Sequence, residues 1–164
     1  MEGLFLGFMF MGTVFIVLFC VFCLRICTEW ERKVVLRLGR FAGVRGPGIF
    51  LLLPLIETTP VTIDLRTMTN SISAEQTLTR DNVPVNVDTV VYWRVVDPKL
   101  AVLQVADYDA AVIMAAQTAL RDMIGRSDLS EVLSDRAGLD KLMTQVLDAQ
   151  TEPWGVKVES VQMR

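Results

Sequence analysis

Three patterns of apolar and polar positions follow one another along the chain. Residues 3–24 form an uninterrupted apolar run without a charged side chain. From residue 31 to about residue 97, apolar and polar residues alternate with a period of two between glycine- and proline-containing turns, which is typical of β-strands. Beyond Asp97 the apolar residues recur every three or four positions, which is typical of amphipathic helices. Strands followed by helices predict an α+β domain behind an apolar N-terminal segment.

The apolar run 3–24 predicts a transmembrane helix, and we take residues 1–28 as a membrane anchor with its juxtamembrane segment. As a helix, 22 residues reach about 33 Å, enough to cross a hydrocarbon core of about 30 Å. A core helix would need protein on every face, and a cleaved signal peptide would need a basic start and a small-residue cleavage site. A re-entrant hairpin remains open, with Gly12 as its hinge, although no proline forces a bend.

The charges that flank the run predict its orientation. Residues 25–45 contain six lysines and arginines against two glutamates. Positive residues next to a membrane segment favour the cytoplasmic side. The sequence therefore predicts a single-pass protein of a prokaryotic plasma membrane, with its C-terminal domain in the cytoplasm.

The alternating region predicts several strands. The segments are 33–38, 61–66 and a hairpin that turns at Asp81-Asn82. The second arm of the hairpin, residues 83–95, places every other side chain on one apolar face that includes Val91 and Trp93.

A second apolar stretch, residues 49–56, is too short to span a bilayer and contains Pro54. Taken alone, it fits either a buried strand or a shallow membrane contact beside basic residues.

The last third of the chain predicts helices and a closing strand. Asp97-Pro98 is an N-cap followed by proline at the first helical position. The predicted helices are 110–124, which Asp107 or Asp109 starts and Gly125 ends, 129–133 with Ser127 and Ser130 as caps, and 135–151 with an apolar stripe of Leu139, Leu142, Val146 and Leu147. Residues 154–164 alternate again and predict a strand that returns to the sheet.

Composition narrows the chemistry. The chain contains no histidine, which excludes Ser-His and Cys-His catalysis and histidine-ligated metals. Its acidic residues stand where they would cap helices, and its net charge of −3 does not suit a nucleic-acid binder. We predict no catalytic site, no cofactor, no metal and no nucleic-acid partner.

The three cysteines, Cys20, Cys23 and Cys27, are spaced to share one stripe if the helix continues through them. Palmitoylation of a juxtamembrane thiol, Cys27 above all, is one interpretation. The other is that these residues serve as small apolar side chains in lipid.

Ordered blocks of sequence resemble the stomatin/slipin branch of the band 7 family, also called the SPFH or prohibitin-homology superfamily. The blocks, in one-letter code, are ERKVVLRLGR (31–40), GPGIF (46–50), LP (53–54), DLRT (64–67), LTRDNV (78–83), VVYWRV (90–95), DP (97–98), QTALR (117–121), LSDR (133–136) and WGVKVE (154–159). They cover residues 29–164, nearly the whole chain behind the apolar run.

The resemblance implies a membrane scaffold rather than an enzyme. Such proteins form large homo-oligomers that organise membrane microdomains and modulate neighbouring channels, transporters or proteases, including NfeD-type membrane partners. The family's membrane-touching stretch falls here on Phe50, Leu51, Leu52 and Leu53.

The sequence departs from the family in two places. Members normally continue into a long Ala/Glu-rich helical region, so the chain resembles a truncated form whose self-assembly is uncertain. Animal stomatins have a proline-bent intramembrane hairpin, whereas residues 3–24 lack proline. The leading hypothesis is a membrane-anchored, self-assembling scaffold, and the alternative is a regulatory module for one membrane protease or channel.

Overall fold

A computed structural model describes residues 11–12, 23–53 and 56–164. The chain divides into two compact units, one ending at Asp64 and the other running from Leu65 to Arg164. The described residues form three antiparallel sheets and four α-helices, which confirms the predicted α+β class.

The first unit contains two small sheets. Its strands are β1 (Leu24–Cys27), β2 (Glu31–Arg37), β3 (Arg40–Arg45), β4 (Gly48–Leu51) and β5 (Glu57–Asp64). Strands β1 and β4 pair as a two-stranded ribbon, and the other three form a sheet in the order β3-β2-β5.

Strand β2 is the centre of the three-stranded sheet. Its Val34 and Val35 are both buried, so this strand is covered on both faces. A bulge interrupts the pairing with β3 between Val35 and Leu36. Bulges of this kind bend a strand and redirect its side chains. The strand predicted at 33–38 is therefore confirmed, with an irregularity that the alternation did not reveal.

The second unit combines one sheet with the helices. Its elements are β6 (Met68–Leu78), β7 (Pro84–Val95), α1 (Pro98–Gln104), α2 (Tyr108–Arg126), α3 (Leu129–Ser134), α4 (Arg136–Thr151), a 3-10 turn (Glu152–Trp154) and β8 (Val156–Met163). The sheet order is β6-β7-β8, so the closing strand returns beside β7 as predicted.

Strand β7 supplies the core of this unit. Val87, Thr89, Val91, Trp93 and Val95 are all buried, which confirms the predicted apolar face. The indole Nε1 of Trp93 donates a hydrogen bond to Asn70 Oδ1 over 3.0 Å, so the buried polar atom of the ring is satisfied.

Aspartates stand at the N-caps of all four described helices, and three of them accept backbone hydrogen bonds. Asp97 accepts from the backbone N–H groups of Lys99 and Leu100, Asp107 from that of Ala110, and Asp135 from that of Gly138.

Two predicted helix boundaries were wrong. Helix α2 continues through Gly125 and ends with Ser127 as its C-cap, and α3 has Asp128 rather than a serine at its N-cap.

Helix α4 lies along the outer edge of β8. Asp140, Thr144 and Asp148, one turn apart on this helix, accept hydrogen bonds from the backbone N–H groups of Met163, Val161 and Val158.

The predicted apolar stripe of α4 is half correct. Leu139 and Leu147 are buried with Met143, but Leu142 and Val146 are exposed, because the helix turns its 139–143–147 face to the sheet.

The predicted transmembrane helix falls largely outside the described residues. At its end the prediction was wrong, because Leu24 begins strand β1 and Cys27 lies in that strand, so the three cysteines do not share one helical stripe. Within the described part of the chain, no single helix has the length and hydropathy needed to cross a membrane. Helices α1 and α2 reach this length and hydropathy only when they are taken together, and they are bent by 81° relative to each other.

Candidate membrane-facing surface

The ribbon of β1 and β4 presents an apolar face to solvent. Its register places Leu24 opposite Leu51 and Ile26 opposite Ile49. Residues directly opposite each other in an antiparallel pair project from the same face. We call these four residues the apolar ribbon face. Their exposed fractions are 49% for Leu24, 72% for Ile26, 73% for Ile49 and 61% for Leu51.

Such a face is unusual for a surface that meets only water. Complete burial of one aliphatic side chain contributes about 1.5–3 kcal/mol. Burying the exposed parts of four would therefore contribute on the order of 5 kcal/mol. Contiguous exposed apolar patches mark sites of contact with a partner or a membrane.

The four residues that the family resemblance placed at the membrane differ in their exposure and in the side of the strand from which they project. Leu51 belongs to the apolar ribbon face and Leu53 is also exposed, at 42%. Leu52 is buried, and Phe50 is half-buried on the opposite face of the ribbon, beside Arg25. Alternation along β4 is the reason, because neighbouring residues of a strand point to opposite sides.

Sequence reasoning missed Leu24 and Ile26 as members of this surface, and it left Ile49 open between a buried strand and a membrane contact. Leu24 and Ile26 were assigned to the helix or its flank, and only pairing with β4 brings them beside Ile49 and Leu51. The period-two pattern of 24–27 spans four residues, which is too short to distinguish a strand from the end of an apolar helix.

One hydrogen bond extends the pairing of the ribbon, and two others join β1 to the residues of β2. The backbone N–H of Leu52 donates to Cys23 O over 2.8 Å, and Lys33 Nζ donates to Ile26 O over 2.9 Å. The thiol of Cys27 donates to Glu31 O over 3.3 Å. Cys27 is buried, so acylation of its sulfur would require this strand end to open.

One ion pair in the same unit joins an exposed arginine to a buried glutamate. Arg37 donates to Glu57 Oε1 from Nε (3.1 Å) and from Nη2 (2.6 Å), and the Glu57 side chain is only 5% exposed. The hydrogen bond and charge of Arg37 hold the pKa of the Glu57 carboxyl below its ordinary value, with burial opposing them and Arg45 adding a smaller effect. The pair links β2 to β5.

Over residues 11–12, 23–53 and 56–164, no group of three or more histidine, cysteine, aspartate or glutamate side chains is placed to hold a metal ion. The side chains of Asp107 and Asp135 accept hydrogen bonds from backbone amides.

The sequence model of the SPFH domain / Band 7 family matches residues 25–164. That is most of the chain. The chain belongs to the SPFH domain / Band 7 family.

Similar Band 7 relatives come from archaea and animals. A stomatin homologue of Pyrococcus horikoshii is 44% identical over 151 residues, which cover 92% of this chain and 56% of that protein. An uncharacterised protein of Archaeoglobus fulgidus is 46% identical over 151 residues (92% and 60%), and mouse stomatin is 40% identical over 144 residues (87% and 50%). The chain thus spans between half and three fifths of these relatives, and it is a stomatin-like member of Band 7.

The Band 7 match begins at Arg25, so it includes Ile26, Ile49 and Leu51 of the apolar ribbon face. The ribbon is therefore part of the family domain.

Proposed function

We propose that this chain is a membrane-anchored, stomatin-like scaffold that self-assembles and organises membrane microdomains or modulates neighbouring membrane proteins. The apolar ribbon face carries the proposal. It gives the Band 7 domain a surface that a lipid bilayer would bury, and its Leu24 is the last residue of the uncharged run whose preceding part we assign to the bilayer.

The proposed arrangement places the apolar run up to Cys23 in the membrane and the apolar ribbon face against the headgroup and acyl boundary, with the domain on the cytoplasmic side. Basic residues support this side, because anionic lipids of the cytoplasmic leaflet attract lysines and arginines near the surface. Arg25 is exposed next to the ribbon face along β1, and Lys33 is held beside it.

Photocrosslinking from the ribbon tests the membrane contact. A benzoylphenylalanine in place of Ile49 or Ile26 is introduced into the full chain, which is reconstituted in phosphatidylcholine vesicles and irradiated. We expect lipid adducts by mass spectrometry at both positions. The matched control is the same group at Met114, which is 67% exposed on α2. Adduct yields at Ile49 and Ile26 no higher than at Met114 would contradict the proposed contact.

The proposed partners are further copies of this chain and a neighbouring membrane protein such as an NfeD-type protease or a channel. Crosslinking in native membranes distinguishes the two kinds. A ladder of bands at multiples of the chain mass is expected for the scaffold, whereas one heteromeric band alone would favour the regulatory module.

Palmitoylation of Cys27 is a separate proposal. Its test is thioester-specific biotin exchange on membranes from expressing cells, comparing the full chain with its Cys27→Ser variant. We expect a signal that the substitution removes. An equal signal from both chains would assign the lipid to another cysteine and contradict the proposal.

A further inference from the structure

A concave pocket of about 740 Å³ lies against the three-stranded sheet of the first unit. Strands β2, β3 and β5 all contribute to its lining. Its charged residues are Arg37, Arg40, Arg45 and Glu57. We call it the arginine pocket.

The strand register explains why these side chains converge. Arg37 lies opposite Arg40 on one side and Glu57 on the other, so all three project from one face of the sheet. Arg45 lies beyond the β2–β3 bulge, opposite Lys33, and lines the same pocket.

Gly43 leaves the centre of this face open. It lies opposite Val35, between Arg40 and Arg45 on β3. A Cβ atom built on Gly43 would meet no atom within 4 Å. The pocket is therefore a hollow over a glycine, with an arginine on the same strand to either side of it.

The balance of charge in the pocket is positive. Glu57 is already engaged by Arg37. The guanidinium groups of Arg40 and Arg45 have no hydrogen-bond or ion-pair partner in the described part of the chain. Three arginines against one glutamate leave an excess of two positive charges, although the chain as a whole carries a net charge of −3.

Exposed arginines usually serve only as solvated surface. Here Arg37, Arg40 and Arg45 line one concavity, so like charges are gathered at one place and an anion bound there would reduce their mutual repulsion. Planar guanidinium groups match the geometry of phosphate oxygens.

We propose that the arginine pocket binds the phosphate group of an anionic phospholipid, with Arg40 and Arg45 contacting the phosphate oxygens and Glu57 positioning Arg37 beside them. The lipid source rests on the membrane attachment proposed above. It is supported by chain continuity, because Arg45 lies three residues before Gly48, where β4 of the apolar ribbon begins.

Lys33 gives a second link between the pocket and the ribbon. It lies opposite Arg45 on β2, and its Nζ donates to the carbonyl of Ile26 on β1. A phosphate at the Arg45 end of the pocket would thus lie near the strands that carry the apolar ribbon face, as a headgroup does relative to its acyl chains.

Native mass spectrometry of the full chain tests the proposal. The protein is reconstituted in nanodiscs of equal parts phosphatidylcholine and phosphatidic acid, and the lipids retained after release are counted. We expect preferential retention of phosphatidic acid by the wild-type chain. In R40Q/R45Q the preference should fall by about tenfold or more, because two charge-assisted contacts to phosphate are lost.

The matched control is R121Q/R136Q, which removes the same charge from exposed positions of the second unit and should retain phosphatidic acid as the wild type does. The single variants R40Q and R45Q, each with a partial loss expected, replace the double variant if it does not fold. Equal retention by wild type and the pocket variants would overturn the phosphate site.

A competition arm identifies the source of the phosphate. Glycerol 3-phosphate at the concentration of the lipid should leave the retained phosphatidic acid unchanged. If it displaces the lipid, the assignment to a lipid headgroup is overturned. Neither arm depends on crosslinking at Ile49 in phosphatidylcholine vesicles, so failure of the phosphate site and failure of the membrane contact give different results.

Discussion

At the scale of the residue, single side chains determine where elements begin and which strands stay together. The caps Asp97 and Asp135 follow from local sequence, since an aspartate before a helical pattern can only serve neighbouring amides. The Arg37–Glu57 pair could not be predicted in this way. Its members are 20 residues apart, and only the register of β2 against β5 brings them together.

Replacing Asp97 tests the cap of α1. Asp97→Ala removes an acceptor for the N–H groups of Lys99 and Leu100, so we expect a loss of about 1 kcal/mol in the free energy of unfolding. The measurement is urea unfolding of the full chain in neutral detergent. Asp97→Asn keeps an oxygen in place and should retain most of the stability. Equal losses in both variants would show that the cap is not the cause.

The Glu57 carboxyl predicts a pH dependence of stability. Its pKa in the folded protein lies below the ordinary value of 4.5, so its contribution is complete above that value and disappears as the pH falls through the folded pKa. Glu57→Gln should therefore destabilise the chain at neutral pH, and its difference from wild type should shrink on acidification.

Urea midpoints measured across the acid range, on wild type, E57Q and R37Q, check this prediction. R37Q removes the largest cause of the lowered Glu57 pKa. The free energy of unfolding of R37Q should therefore change less with pH than that of the wild type, as it should in E57Q. A stability difference between wild type and E57Q that stays constant down to about pH 3 would contradict the prediction.

At the scale of the element, pairing partners decide what a local pattern cannot. The alternation of β7 identified a strand with a buried face, and the structure confirms it. The stretch 49–56 remained open between a buried strand and a membrane contact, because its pattern is apolar throughout. Pairing with β1 resolves its first half into outward Ile49 and Leu51 and a half-buried Phe50.

Helix α4 covers the free edge of β8 in the sheet of the second unit. Its Asp140, Thr144 and Asp148 occupy the N–H groups that β8 directs away from β7. An open edge of this kind would otherwise be free to pair with another chain. Contacts between copies are therefore to be sought elsewhere than at the β8 edge.

Two leucines of α4 provide a matched test of its orientation. Leu147 is completely buried, whereas Leu142, five positions earlier, is 51% exposed. We expect Leu147→Ala to lower the free energy of unfolding by about 2–5 kcal/mol, and Leu142→Ala to change it by no more than about 0.5 kcal/mol. The measurement is the free energy of unfolding of both variants in urea. Similar losses in the two would show that Leu142 is also covered, for instance by a second copy.

At the scale of the whole molecule, each of the two units has its own buried side chains. Val34, Val35 and Ile63 belong to the first, and Trp93, Leu120 and Leu147 to the second. The change from a strand-like to a helical apolar period was sufficient to predict the α+β class, and the ordered sequence blocks were sufficient to predict the family. They could not predict the arginine pocket, since Arg37, Arg40, Arg45 and Glu57 converge only through the register of three strands.

Self-assembly predicts a particle much larger than one chain. We expect size exclusion with light scattering, on the full chain in detergent, to give one discrete mass that is a multiple of the chain's 18.4 kDa. Ultraviolet absorbance and refractive index are recorded together, so that the mass of the bound detergent can be subtracted from that of the particle. A monomeric mass at every protein concentration would contradict assembly by the contacts of this chain alone.

The direct passage from Cys23 into β1 has a mechanical consequence. Cys23 is helical, Leu24 begins the strand, and the carbonyl of Cys23 is bonded to the N–H of Leu52. Within the described residues, no linker residue stands between Cys23 and β1. If the chain leaves the bilayer at this point, as proposed above, a rotation of Cys23 would pass directly into the β1–β4 ribbon. Bending or thinning of the membrane that turns Cys23 would then change the tilt of the ribbon.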